Sequence, residues 1–89
     1  MNAVTPQPVH WIDQPAQLPS LCQQLQAEPR LAVDTEFVRT NTYNPIPGLI
    51  QIATPQAIYL VDPVRLTATD LQVLGNTLFS PSIQLLMHS

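Results

Sequence analysis

Asp34 and Glu36 stand two positions apart in the segment Leu31-Ala32-Val33-Asp34-Thr35-Glu36-Phe37, whose alternation predicts a β-strand from Leu31 to Val38. At a rise of about 3.3 Å per residue, side chains two positions apart leave the same face about 7 Å from each other at the Cβ level. Two hard carboxylates on a rigid element can share one divalent cation. Mg²⁺ and Mn²⁺ suit them, since these ions prefer oxygen ligands and keep waters that a substrate phosphate displaces. The same residues admit a second explanation. Alternating apolar and acidic positions also describe the solvated face of an edge strand, with Ala32, Asp34 and Glu36 on one side and Leu31, Val33, Thr35 and Phe37 on the other. Position within the sheet separates the two, because neighbouring carboxylates inside a sheet repel unless a cation or water lies between them.

The elements that must hold this strand follow from pattern and punctuation. Residues 1–8, with Pro6 and Pro8, read as a flexible lead-in, and residues 9–89 as one partial domain with no linker or internal repeat. Val9 to Ile12 is β-prone. Asp13 offers an N-cap and Pro15 an early helical position, and Leu18, Leu21, Cys22 and Leu25 fall on one helical face. Pro19 inside that helix predicts an irregular first turn or a regular helix that begins near Leu18. After the carboxylate strand, residues 39–48 have the Asn, Pro and Gly content of a loop. Leu49 to Ala53 and Ala57 to Val61 then form two strands around a Thr54-Pro55-Gln56 turn. Thr67 and Asp70 make a capping box for a helix carrying Leu71, Leu74 and Leu78, and Ser82 to Met87 reads as a further strand. The expected fold is therefore α/β, with three antiparallel strands, then a helical crossover to a parallel fourth strand.

Composition narrows the function classes. Hydrophobic residues are 45% of the 89 and charged ones 10%, which places the chain among folding sequences. A chain this short buries only about 60–65% of its unfolded surface, so its stability is thin. All the basic residues are arginines, and the formal net charge is −3. That excludes the usual basic nucleic-acid patch, although a metal-dependent nuclease draws positive charge from its cations and needs acidic ligands to hold them. The single cysteine, Cys22, cannot build a disulfide framework and reads as a buried core residue. No apolar run is long enough to span a bilayer, and the N-terminus lacks the pattern of a secretory signal, so a soluble cytoplasmic protein without membrane association is expected.

Beyond the carboxylate pair, the string Asp34-Thr35-Glu36-Phe37-Val38-Arg39-Thr40, Thr42-Tyr43-Asn44-Pro45 and Gly48-Leu49-Ile50-Gln51-Ile52 resembles the first exonuclease motif and following hairpin of the ribonuclease D family. Trp11-Ile12-Asp13, the Leu21-Cys22 helix and Tyr59-Leu60-Val61-Asp62-Pro63 also lie where that family has counterparts, so the resemblance covers residues 9–89. It implies a ribonuclease H-like fold and 3′→5′ exoribonuclease activity on the 3′ ends of tRNA precursors and small structured RNAs. Two Mg²⁺ or Mn²⁺ ions, held by acidic residues, would act in the complete site.

On this resemblance Asp34 and Glu36 are the catalytic metal ligands, and Thr35 and Phe37 are candidates for contact with the terminal nucleotide, although Phe37 also reads as a core residue packed beside Val33 on the opposite face. His88-Ser89 resembles the opening of the second motif, which assigns His88 to the neighbourhood of the substrate. The sequence stops before that motif's ligand Asp and before the third motif, so the 89 residues are not expected to turn over RNA by themselves. The alternative is a non-catalytic or degenerate ribonuclease H-like module that binds RNA or protein.

The remaining polar and aromatic residues have plainer readings. Arg39 is read as a solvated loop residue that could also touch phosphate or pair with Glu36, and Tyr43 either packs under the loop or flanks RNA. His10 and Trp11 are read as sheet-edge and core residues; Asp13, Asp62 and Asp70 as caps and turns. No obligate protein partner is evident. Exposed apolar surface on Leu85, Leu86 and Met87 predicts that the isolated chain self-associates.

Overall fold

A computed structural model describes residues 7–38 and 46–88 of the chain. Nine-residue strand β2, Arg30–Val38, contains the carboxylate segment. Around it the other strands are β1 Val9–Ile12, β3 Ile46–Ala53, β4 Ile58–Val61 and β5 Gln84–His88, with helix α1 Leu18–Gln26 before β2 and α2 Ala68–Leu78 before β5. They form one five-stranded sheet in the order β1-β4-β3-β2-β5. Strands β2, β3 and β4 make the expected antiparallel meander, and β5 returns parallel to β2 after α2. Strand β1 extends the expected sheet by pairing parallel to β4 at the far edge.

Local chemistry explains most of the boundaries. Thr67 caps α2: its hydroxyl accepts from the Asp70 N–H at 3.1 Å, and the Asp70 carboxylate accepts from the Thr67 N–H at 3.0 Å. The Asp62 carboxylate likewise accepts from the Val64 N–H at 3.0 Å and opens a short 3₁₀ turn, Pro63–Arg65. Thr54 closes the β3–β4 turn, its hydroxyl accepting from the N–H groups of Gln56 and Ala57. Gln7 donates from Nε2 to the Pro55 carbonyl at 2.8 Å, so this part of the lead-in is tied to that turn.

Two expectations change. Asp13 does not cap α1. A 3₁₀ turn, Pro15–Gln17, precedes the regular helix; Gln17, at the helix N-cap, makes no side-chain bond to α1, and its Oε1 instead turns back to accept from the N–H groups of Asp13 and Gln14. The regular helix starts at Leu18, which leaves Pro19 in its first turn, where a missing N–H costs little. Strand β3 begins at Ile46 rather than Leu49, so Pro47 and Gly48 belong to a strand and not to a loop. Proline is tolerated there because β4 pairs only with Ile50 to Ala53, which leaves the first half of β3 with β2 as its paired neighbour.

The core lies on one side of the sheet. Leu21, Cys22 and Leu25 of α1 and Leu74 and Leu78 of α2 meet Leu31, Val33, Ile52, Tyr59, Val61 and Ile12 in a single buried cluster. Cys22 is a free thiol inside it, as its spacing predicts. Tyr59 stacks against His10, ring centroids 5.3 Å apart, and donates its hydroxyl to Gln24 Oε1 at 2.6 Å.

The opposite side of the sheet is open. Trp11 is 58% exposed there rather than in the core, beside half-buried Leu60, its register partner on β4. At the other edge Leu86, the partner of Ala32, is 60% exposed on this side, whereas on the helix side Leu85 packs partly against the core and Met87, the partner of Val33, is 53% exposed.

Candidate active site

Strand β2 is not an edge strand. It lies between β3 and β5, and Asp34 is paired on both sides, so the edge-strand explanation does not hold for Asp34; pairing with β5 ends there, and among the described residues Glu36 has a partner on β3 alone. Leu31 and Val33 are buried on the helix side, and Asp34 is exposed on the open side, as a period of two requires. Backbone register fixes its neighbours: Asp34 pairs with Gln51 of antiparallel β3 and with His88 of parallel β5. Glu36 pairs with Leu49, and pairing runs without interruption from Ala32 through Glu36. The register shifts between Glu36 and Phe37, where Phe37 takes Pro47 as partner and Gly48 becomes the extra residue. The alternation that sets positions 34 and 36 on one face is therefore kept up to the second carboxylate. It is broken immediately after it.

A second consequence concerns the residue between the acids. Thr35 is half-buried and pairs with Ile50, itself packed against the core, so its side chain turns toward the helices and away from Asp34. Only its backbone borders the open face. Phe37 and His88 are placed by backbone register, Phe37 just past the shift and His88 directly beside Asp34. Arg39, Tyr43 and Ser89 lie outside the described residues. Among the described residues no group of three or more His, Cys, Asp or Glu side chains gathers at one point. Asp62 and Asp70 are occupied as helix caps, as expected.

The sequence that forms this meander, crossover helix and returning strand matches, over residues 9–89, the family model described as 3'-5' exonuclease. The chain belongs to the 3′-5′ exonuclease family. Ribonuclease D from Escherichia coli (strain K12) is 44% identical over 72 residues, which are 81% of this chain and 19% of that protein. Ribonuclease D from Pseudomonas paraeruginosa is 33% identical over 86 residues, 97% of this chain and 22% of that protein. The crystal structure of Escherichia coli RNase D, described as an exoribonuclease involved in structured RNA processing, superposes with a TM-score of 0.79 at 41% identity and covers 91% of this chain and 21% of that one. The catalytic core of RRP6 from Trypanosoma brucei superposes with a TM-score of 0.85 at 23% identity, a likeness of fold. The chain thus spans about a fifth of the curated relatives it matches. Its sheet and helices are the ribonuclease H-like fold of these exonucleases.

One residue of the site was not singled out from the sequence. Gln51 is exposed on the open face directly across from Asp34. The signal lies in strand β3 itself, where Leu49, Gln51 and Ala53 occupy the alternate open-side positions and only the middle one is polar.

Proposed function

We propose that this segment contributes to the active site of a metal-dependent 3′→5′ exoribonuclease of ribonuclease D type, with Asp34 and Glu36 as ligands to a divalent cation. The observation that carries it is the pair of alternate acids on β2, with Asp34 paired on both sides, in a sheet whose opposite side is sealed by α1 and α2. Hydrogen-bonded capping explains Asp62 and Asp70, and edge solvation does not explain Asp34. The donor set is hard and anionic, with Asp34 open to solvent, which fits Mg²⁺ or Mn²⁺. Such ions, when bound in pairs, activate water and stabilise the charge that develops on a phosphodiester under attack.

The chain's own residues have more limited tasks. Asp34 and Glu36 supply negative charge from alternate positions of one strand, and unbroken pairing with β3 at both positions keeps their backbone spacing from relaxing. Thr35 offers the terminal nucleotide its backbone rather than its hydroxyl. Phe37, just past the register shift, and His88, beside Asp34 on β5, lie by backbone register next to the place where the 3′-terminal nucleotide would lie. RNA is the proposed substrate, in line with the exoribonuclease named among the relatives; tRNA precursors and small structured RNAs are the proposed class, and the cytoplasm the proposed location. Among the described residues no helix is long and apolar enough to cross a membrane. In the 89-residue chain by itself, the exposed apolar open face favours self-association, and turnover is not expected.

The test is nucleotide release from the 3′ end of a labelled RNA by a full-length chain carrying this segment, with Mg²⁺ or Mn²⁺ supplied. Release that stops with EDTA and in Asp34→Ala supports the proposal. Undiminished release in Asp34→Ala ends it, and cation-independent RNA binding without cleavage would instead support a non-catalytic module.

A further inference from the structure

We infer that Gln51 is a positioning residue for Asp34, its side-chain amide placed across the strand pair so that it would donate to that carboxylate when a cation is held there; this rests on the reading of Asp34 as a metal ligand. Directly opposed residues of an antiparallel pair have Cβ atoms about 4.5–5.5 Å apart, and a glutamine side chain spans the rest. Asp34 and Gln51 are such a pair, both exposed on the open side. The surroundings make the amide stand out. Along the same row of the sheet Gln51 is followed by Leu60 and then Trp11, and along its own strand Ala53 precedes the β3–β4 turn. A glutamine is the polar exception in a patch of apolar residues, at the one β3 position that faces Asp34.

The chemistry suits the place. A ligating carboxylate held through only one oxygen rotates about its last torsion, so a partner that donates to the other oxygen fixes the geometry offered to the cation. A lysine or arginine here would also donate, but its charge would compete with the cation for the same carboxylate. A neutral amide donates without that competition. The hydrogen bond cannot be replaced by an apolar side chain of the same length, whereas the packing can.

The inference separates from a merely structural role by a titration that needs no turnover. In the full-length chain, calorimetric titration with Mn²⁺ in the absence of RNA should show uptake that weakens by roughly 10- to 100-fold in Gln51→Met, the range typical of lost outer partners of metal ligands. The melting temperature of the metal-free protein should be unchanged, because position 51 is exposed. Unaltered Mn²⁺ affinity in folded Gln51→Met would overturn the inference while leaving Asp34 as a ligand intact. Gln51→Ala serves the same purpose should the methionine variant aggregate. Mn²⁺ uptake absent from the unmutated chain would overturn both the metal reading and this one.

Discussion

The two faces of the sheet are drawn from the same strands, and neighbouring residues of β2 belong to opposite ones. On the helix side Leu25, Ile52, Val61 and Leu74 are the largest fully buried side chains. On the open side Asp34 and Gln51 are exposed, with Trp11 and Leu86 more than half exposed at either edge. The covered face is finished in the sense that its apolar groups are removed from water and, among the described residues, no buried side-chain nitrogen or oxygen lacks a partner. The open face carries Asp34 and Gln51 in solvent, outside the packed layer. Rigidity on one face is what lets chemistry be placed on the other, since a carboxylate on a strand pinned from behind by a close-packed layer keeps its position.

That contrast can be broken from either side. The largest effect is expected from Asp34→Ala in a full-length chain, which should lower nucleotide release by more than roughly 100-fold, beyond the loss of an outer partner. Its melting temperature should stay close to that of the parent. A large loss of stability would mean that Asp34 belongs to the structural side after all.

The complementary change is Leu25→Ala in α1. Truncation of a fully buried leucine costs about 2–5 kcal/mol, readable as a shift of the urea midpoint of the 89-residue chain. Against a total of roughly 4–13 kcal/mol for a chain of this length, that is enough to unfold a large fraction. A smaller effect on the same covering layer should follow Thr67→Ala, about 1 kcal/mol in the same titration, because one N–H at the start of α2 loses its acceptor.

The smallest change in stability, within about 0.5 kcal/mol, is expected for Leu86→Ser on the open face, since that side chain is already mostly in water. It should instead lower the concentration-dependent mass seen by light scattering in the 89-residue chain. An unchanged mass in this variant, or a monomeric parent at all concentrations, would remove the open face as the cause of self-association.

Much of this was readable from residue types in order. Local rules act through neighbours a few positions apart, so the α1 stripe, the Thr67–Asp70 box, the Thr54 turn and the β2 alternation each followed from short stretches. The acidic pair was singled out on the same basis, and the resemblance to ribonuclease D rested on those residues with the hairpin string after them. Where local rules competed, the outcome was less certain. Asp13 is a good N-cap by type, but a 3₁₀ turn comes before α1, and from it Gln17 reaches back to the Asp13 and Gln14 N–H groups and donates to the Trp11 carbonyl, which ties the turn to β1. Pro47 and Gly48 read as loop because nothing in a local window says that a strand can have only one paired neighbour over half its length.

By itself the sequence determined which residues are acidic, which alternate and which segments must be helical, because side-chain period and capping are properties of short windows. Only the tertiary structure decided that β2 is an inner strand, that Trp11 lies on the open side and that Gln51 and His88 flank Asp34 in register. Strand order and register are set by contacts between residues far apart in the chain, and a single extra residue such as Gly48 shifts every pairing beyond it. Long-range pairing therefore carries information that no window of the sequence contains.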